Sequence, residues 1–141
     1  MVKRIKYFPK KSHNVEFQVA LMKRDFPQFK PERNVDGVSF IGELQVKPEL
    51  PKYKVKIEYR GDLKPRVSVL SPALSKGVPH VYEGGYLCLY HPDNYKWNGD
   101  KFISKEIVQW TCAWLYFYEY WLQTGEWVGP EVPHSCKKED K

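Results

Sequence analysis

Two runs of strict alternation and one long apolar stripe set the expected frame of this chain. From Val38, apolar or small side chains fall on every second position: Val38, Phe40, Gly42, Leu44 and Val46. Ser39, Ile41, Glu43, Gln45 and Lys47 lie between them. From Tyr53 the alternation is cleaner, with Tyr53, Val55, Ile57 and Tyr59 on one side and Lys54, Lys56, Glu58 and Arg60 on the other. A shorter run covers 66–70. A period of two over consecutive runs predicts a half-buried antiparallel sheet. The links at 48–51 and 61–65 are short enough for a three-stranded meander.

Helical spacing appears on both sides of that sheet. Val15, Val19, Met22 and Phe26 recur at three and four, with Phe17 and Leu21 nearby. Asn14 is the expected cap and Pro27 the expected stop. Residues 28–36, with Pro31, read as a polar connection. Near the other end Ile107, Trp110, Trp114, Tyr118 and Trp121 mark one face, widened by Leu115, Phe117 and Leu122. Ser104 is the expected cap, Glu106 suits the positive helix end, and Gly125 the stop. An aromatic stripe of this kind is core far more often than a ligand box, and the sheet must bury its apolar face against something. The first half of the tail that follows is expected to fold back on the body, and the last five or six residues to be mobile. The expected class is α+β, in one domain spanning 1–141, with 1–13 a basic leading segment and 136–141 a mobile tail.

The charge is uneven. Of 23 Lys and Arg against 17 Asp and Glu, residues 1–35 hold nine basic and three acidic, so the net +6 is an N-terminal feature. Such a segment attracts nucleic acid, acidic proteins or membrane surfaces, although a solvated tail and helix face is the plainer account. No apolar leader follows the basic start, and the stretch 107–122 is shorter than the ~20 residues of a membrane span. A cytoplasmic protein without a membrane span is expected. The three cysteines, Cys88, Cys112 and Cys136, form no CxxC pair, and no secreted disulfide framework is expected.

Candidate chemistry gathers between 79 and 93, PHVYEGGYLCLYHPD. Cys88 is taken there as the most exposed thiol, with His80 eight residues before it and His91 three after. A thiolate is the nucleophilic form, and a nearby imidazole raises its share. Backbone amides at Gly84 and Gly85 could hold an oxyanion. Flanked by Leu87 and Leu89, Cys88 also reads as a small buried hydrophobe. Cys112 falls inside the aromatic helix and reads as packing; Cys136 reads as an incidental exposed thiol. A zinc set drawn from His80, Cys88, His91 and His134 or Cys136 lacks a known spacing. A papain-like pair would place its cysteine at a helix start, which Cys88 lacks.

The order of elements and these residues together resemble a ubiquitin-conjugating enzyme over roughly residues 14–125. Pro79 matches the proline of that family's His-Pro-Asn turn; His80 falls at the asparagine and Val78 replaces the histidine. Val81-Tyr82, Gly85 and Leu87-Cys88-Leu89 follow as in the family around its acceptor cysteine. Trp97 matches the tryptophan after the site, and Ile103-Ser104-Lys105 the start of the crossing helix. Tyr53, Ile57, Pro65, Val67, Val69 and Ser71-Pro72 fit the meander and its exit. The family's asparagine is absent and its C-terminal helices are reduced or missing. The tail Gly125-Glu126-Trp127-Val128-Gly129-Pro130-Glu131-Val132-Pro133-His134 is more similar to the bacterial branch of CBASS-type antiphage operons, in its stand-alone form.

The resemblance implies that Cys88 carries, as a thioester, the C-terminus of a protein partner, a cGAS-like nucleotidyltransferase, and passes it to a nucleophile. His80 is implied as the group that stabilises or relays protons at the acyl centre. His91, Tyr82, Glu131 and His134 are implied as neighbours of the site. A separate activating protein is a further implied partner. No cofactor and no metal are expected, and there is no Gly-rich nucleotide loop. Two rivals remain open: a non-catalytic partner-binding module on the same fold, and a nucleic-acid-binding domain using the basic N-terminus with Tyr7 and Phe8. The second predicts binding that weakens steeply with salt.

Overall fold

The computed structural model describes residues 10–90 and 95–129, with side chains described from Asn14 onward. Helix α1 (Lys10–Asp25) leads into four strands, β1 (Lys30–Arg33), β2 (Val38–Leu44), β3 (Tyr53–Arg60) and β4 (Leu63–Ser71). A long irregular passage carries the cysteine stretch. A wide five-residue π-helical turn, Ile103–Ile107, then runs straight into helix α2 (Val108–Thr124). The sheet is an antiparallel meander in the order β1-β2-β3-β4. The architecture is α+β, with the layout of the ubiquitin-conjugating fold.

The alternation in β3 is realised as drawn: Tyr53, Val55, Ile57 and Tyr59 are buried against Phe40, Leu44 and Val67, and Ile107, Leu115 and Tyr118 complete the core. The meander has one strand more than expected. The polar segment Lys30–Arg33 pairs with β2, Pro31 standing opposite Phe40. All four of its residues are exposed. It hides no apolar face, so no periodicity betrays it, and its edge position tolerates a proline. The last strand is longer than 66–70 because Gly61 (φ 67°) turns the chain tightly and lets Leu63 pair with Arg60.

Both helix starts differ from the expected caps. α1 begins at least as early as Lys10, so Asn14 lies within it. Its amide reaches across to the loop before α2, donating to the Gly99 carbonyl (2.9 Å) and to Asp100 Oδ1 (3.2 Å). Gln18, one turn on and 1 % exposed, donates to the Lys101 carbonyl (2.7 Å) and accepts from the Ile103 N–H (2.9 Å). Side chains four apart share a helix face, and here that face is a polar clamp. At the second helix, Phe102 occupies the cap position without a side-chain bond, and Ser104 is buried inside the wide turn. Gly125 ends α2 as expected, at φ 80°, its N–H on the Trp121 carbonyl. Leu122 does not widen the buried face; it is exposed. Glu119 joins that face instead, 8 % exposed and accepting from the Tyr53 hydroxyl. Burial, and then the carboxylate, push the Tyr53 hydroxyl well above its ordinary pKa.

The Gly99 carbonyl also accepts from the Tyr59 hydroxyl (2.8 Å), and the Gly99 N–H donates to Asp62 Oδ1 (2.7 Å). Helix, sheet and loop therefore meet at one residue. Tyr59→Phe is expected to cost about 1 kcal/mol, because Asn14 still serves the carbonyl. Tyr59→Phe with Asn14→Ala is expected to cost more than the sum, because the carbonyl loses both described donors. Urea unfolding of the four proteins of the cycle measures the coupling; simple additivity would remove Gly99 as the node.

Candidate functional site

The site is built on a small hairpin. Val81 and Leu87 form an antiparallel bridge, and the Tyr82 N–H donates to the Tyr86 carbonyl (2.8 Å). The turn is closed by the Gly85 N–H on the Tyr82 carbonyl (2.8 Å), with Gly85 at φ 89°, where an L side chain is disfavoured. The hairpin is moored to the sheet by the Leu87 N–H on the Val67 carbonyl (2.8 Å). Cys88 follows at once, its own N–H donating to the His80 carbonyl (3.0 Å).

His80 has φ 60°, the only described non-glycine residue with a positive value. That conformation costs a residue with a Cβ roughly 1–2 kcal/mol, and persists only where its surroundings over-determine it. Contacts from α2 and from the start of the tail help to hold it here. Trp114 Nε1 on α2 donates to the same His80 carbonyl (3.1 Å), and the His80 ring lies 4.9 Å from the Trp127 ring. Trp127 in turn packs on Trp114 and Phe117, so the described start of the tail folds back over the helix as expected.

The picture of Cys88 as an exposed free thiol is corrected on both counts. It is 4 % exposed, packed with Tyr82 and Tyr86, and it is disulfide-bonded. The apolar neighbours explain the burial: mooring Leu87 to β4 draws the next residue inward, and the two tyrosines close over it. Cys112 is the free cysteine among the described residues, half-buried on α2, and burial pushes its thiol pKa up.

The sequence-derived site residues fall into two groups. Cys88, His80 and Tyr82 share the hairpin. His91, Glu131 and His134 lie outside the described residues. Residues that sequence reasoning passed over stand beside the first group. Lys64 Nζ donates to the Tyr82 hydroxyl (2.9 Å) and lies 4.4 Å from the ring centroid; the Arg66 guanidinium lies 4.8 Å from that of Tyr86. The signal was present as tyrosines 82, 86 and 90, spaced by four around the cysteine, with Lys-Pro-Arg at 64–66.

The fold is that of ubiquitin-conjugating-type proteins. The model of the Type II CBASS E2 protein family matches residues 18–135, and the chain belongs to that family. It has a role in CBASS antiphage defence. No curated protein matches the chain. Among the described residues no helix is long and apolar enough to cross a membrane.

The geometry separates backbone from imidazole at His80. Glycine there relieves the left-handed strain while keeping the carbonyl, whereas alanine keeps the strain and loses the ring contact. His80→Ala is expected to be less stable than His80→Gly by about 1 kcal/mol in thermal or urea unfolding. Equal stabilities would mean that the φ value is not held in solution. Cys112 is expected to alkylate more slowly than a free thiol at neutral pH and to speed up only as pH passes above the ordinary thiol range, as mass spectrometry of the intact protein can follow.

Proposed function

We propose that this chain is an acyl carrier of the ubiquitin-conjugating type whose nucleophile is Cys88. The observation that carries the reading is the fixed place of Cys88 in an E2-family chain. It stands directly after a hairpin moored to β4 and is tied through the His80 carbonyl to the crossing helix.

The donor is the C-terminus of a protein partner, a cGAS-like nucleotidyltransferase, arriving activated as an acyl adenylate or acyl thioester from a separate activating protein. The Cys88 thiolate attacks the carbonyl carbon; the C–S bond forms as adenylate or thiol departs. An amine then attacks the thioester, the C–N bond forms, sulfur leaves as thiolate, and the amine proton passes to a base. Thioester chemistry suits this exchange because thiolate is a good leaving group. Holding donor and acceptor together is worth several kcal/mol by itself, about 7 or more in well-aligned cases. His80 stabilises the tetrahedral centre or relays its proton, and His91, Glu131 and His134 are further candidates for the relay. Carriage requires the reduced protein: a dithiol must deliver two electrons and two protons to the disulfide before Cys88 has a thiol to use.

Burial and the disulfide favour a second reading, a binding module in which Cys88 is structural. The two separate with a synthetic thioester peptide carrying the partner's C-terminal sequence. Protein reduced and freed of reductant is expected to form an adduct that added thiol reverses. Cys88→Ala is expected to form none, Cys88→Ser a thiol-resistant ester, and the disulfide form none. Reduced wild-type protein that stays unmodified while still retaining the partner in pull-down would establish the binding module.

A further inference from the structure

Past the helix stop the chain turns back and lies against α2. The turn is built locally: the Gly125 N–H rests on the Trp121 carbonyl (2.8 Å), and the Glu126 N–H donates to Thr124 Oγ1 (3.0 Å). Its far end is equally close-fitted, because a Cβ at Gly129 would run into the Phe117 ring. Between these ends Trp127 is wedged among three rings, His80 at 4.9 Å, Trp114 at 5.5 Å and Phe117 at 5.9 Å. Those are ordinary separations for packed aromatic rings. The Trp127 Nε1–H is buried with no hydrogen-bond partner, so the indole is held by packing. Two indoles therefore converge on His80 and hold different parts of it. Trp114 holds the carbonyl through its own Nε1–H, and that carbonyl also takes the Cys88 N–H. Trp127 packs on the imidazole.

We infer that Trp127 is a positioning residue for acyl transfer: it holds the His80 imidazole in the orientation in which that ring serves the acyl centre at Cys88. This deepens the carrier reading and rests on it. The division of labour between the two indoles makes the consequence specific. With Trp114 in place, loss of the Trp127 ring is expected to leave the His80 carbonyl and the Cys88 N–H where they are. What goes is the restriction on the imidazole. A histidine side chain has about three χ1 wells and a roughly two-fold χ2, so a released ring spreads over up to about six orientations. The rate of transfer then falls about three- to sixfold, because fewer molecules hold the ring in the working geometry. The affinity for the guest peptide is unchanged. The start of the tail thus acts on the cysteine through the histidine and touches none of the reacting atoms.

The test is single-turnover acylation of Cys88 in reduced protein by the synthetic thioester peptide described above. The new C–S bond forms at Cys88 as the peptide's own thiol leaves as thiolate. Both the rate at saturating peptide and the half-saturating concentration are measured. Trp127→Leu, which fills space without an aromatic face, is expected to slow the saturated rate at least threefold and to leave the half-saturating concentration within twofold. Trp127→Phe is expected to recover most of the rate. In the His80→Ala background, itself slower than wild type, Trp127→Leu is expected to change the rate by less than twofold. Circular dichroism checks the fold of each variant, and Trp127→Met replaces Trp127→Leu if the latter misfolds. An unchanged rate in Trp127→Leu, the same slowing with and without His80, a Trp127→Phe protein as slow as Trp127→Leu, or a His80→Ala protein as fast as wild type each overturns the inference and leaves the carrier reading standing. A raised half-saturating concentration at an unchanged rate overturns it in favour of contact with the guest chain. Wild-type protein that takes up no acyl group removes the carrier reading and the inference together.

Discussion

The His80 carbonyl accepts two hydrogen bonds, and the position of Cys88 depends on both. One comes from the cysteine's own N–H and the other from the Trp114 indole on the crossing helix. A carbonyl can serve both donors only if the residue bearing it adopts a backbone shape that places the oxygen between loop and helix. That requirement accounts for the left-handed φ at a histidine. The aromatic stripe of α2 thus does more than cover the sheet: one of its rings reaches past the core to fix the loop that holds the sulfur.

A second fixed point lies at the other end of the core. Gly99 gathers Asn14 from α1, Tyr59 from β3 and Asp62 from the β3–β4 turn, while the Trp97 indole donates to Gly61 beside it (3.0 Å). A Cβ at position 99 would sit 2.8 Å from Asp62 Oδ1, so the close approach itself calls for glycine. Between these two points the chain from Gly99 to Trp114 is spanned by the Gln18 clamp and the wide turn at Ile103–Ile107. Buried polar contacts of this kind add modest net stability, but they restrict the loops to one arrangement because leaving any of them unmade is costly.

What was legible in the sequence follows from where each signal resides. The alternation from Tyr53 and the stripe from Ile107 are local consequences of burial, and they read correctly. Gly125 ends its helix for a local steric reason and was equally plain. Polar residues whose partners lie far along the chain were misread. Asn14 looked like a cap because its acceptor is 85 residues away. Nothing local marked Glu119 for burial, because the hydroxyl that donates to it is 66 residues away on β3. The edge strand β1 was invisible because an exposed strand need not alternate. At the site, the cysteine and the paired glycines were found together in one loop, while its folding into a hairpin and the neighbouring Lys64 and Arg66 were passed over. Their contact with Tyr82 and Tyr86 comes only from folding the hairpin onto β4.

Both outer strands of the sheet contain a proline, Pro31 in β1 and Pro65 in β4. Each removes one backbone donor from a row that an incoming extended segment would need for pairing, and part of the β4 row is already taken by Leu87. The sheet is therefore a poor template for growth in either direction. Copies of this protein crowded together are protected from edge-to-edge polymerisation, and a guest peptide gains little by lengthening the sheet. Whatever extended chain the protein captures must be recognised mainly by its side chains.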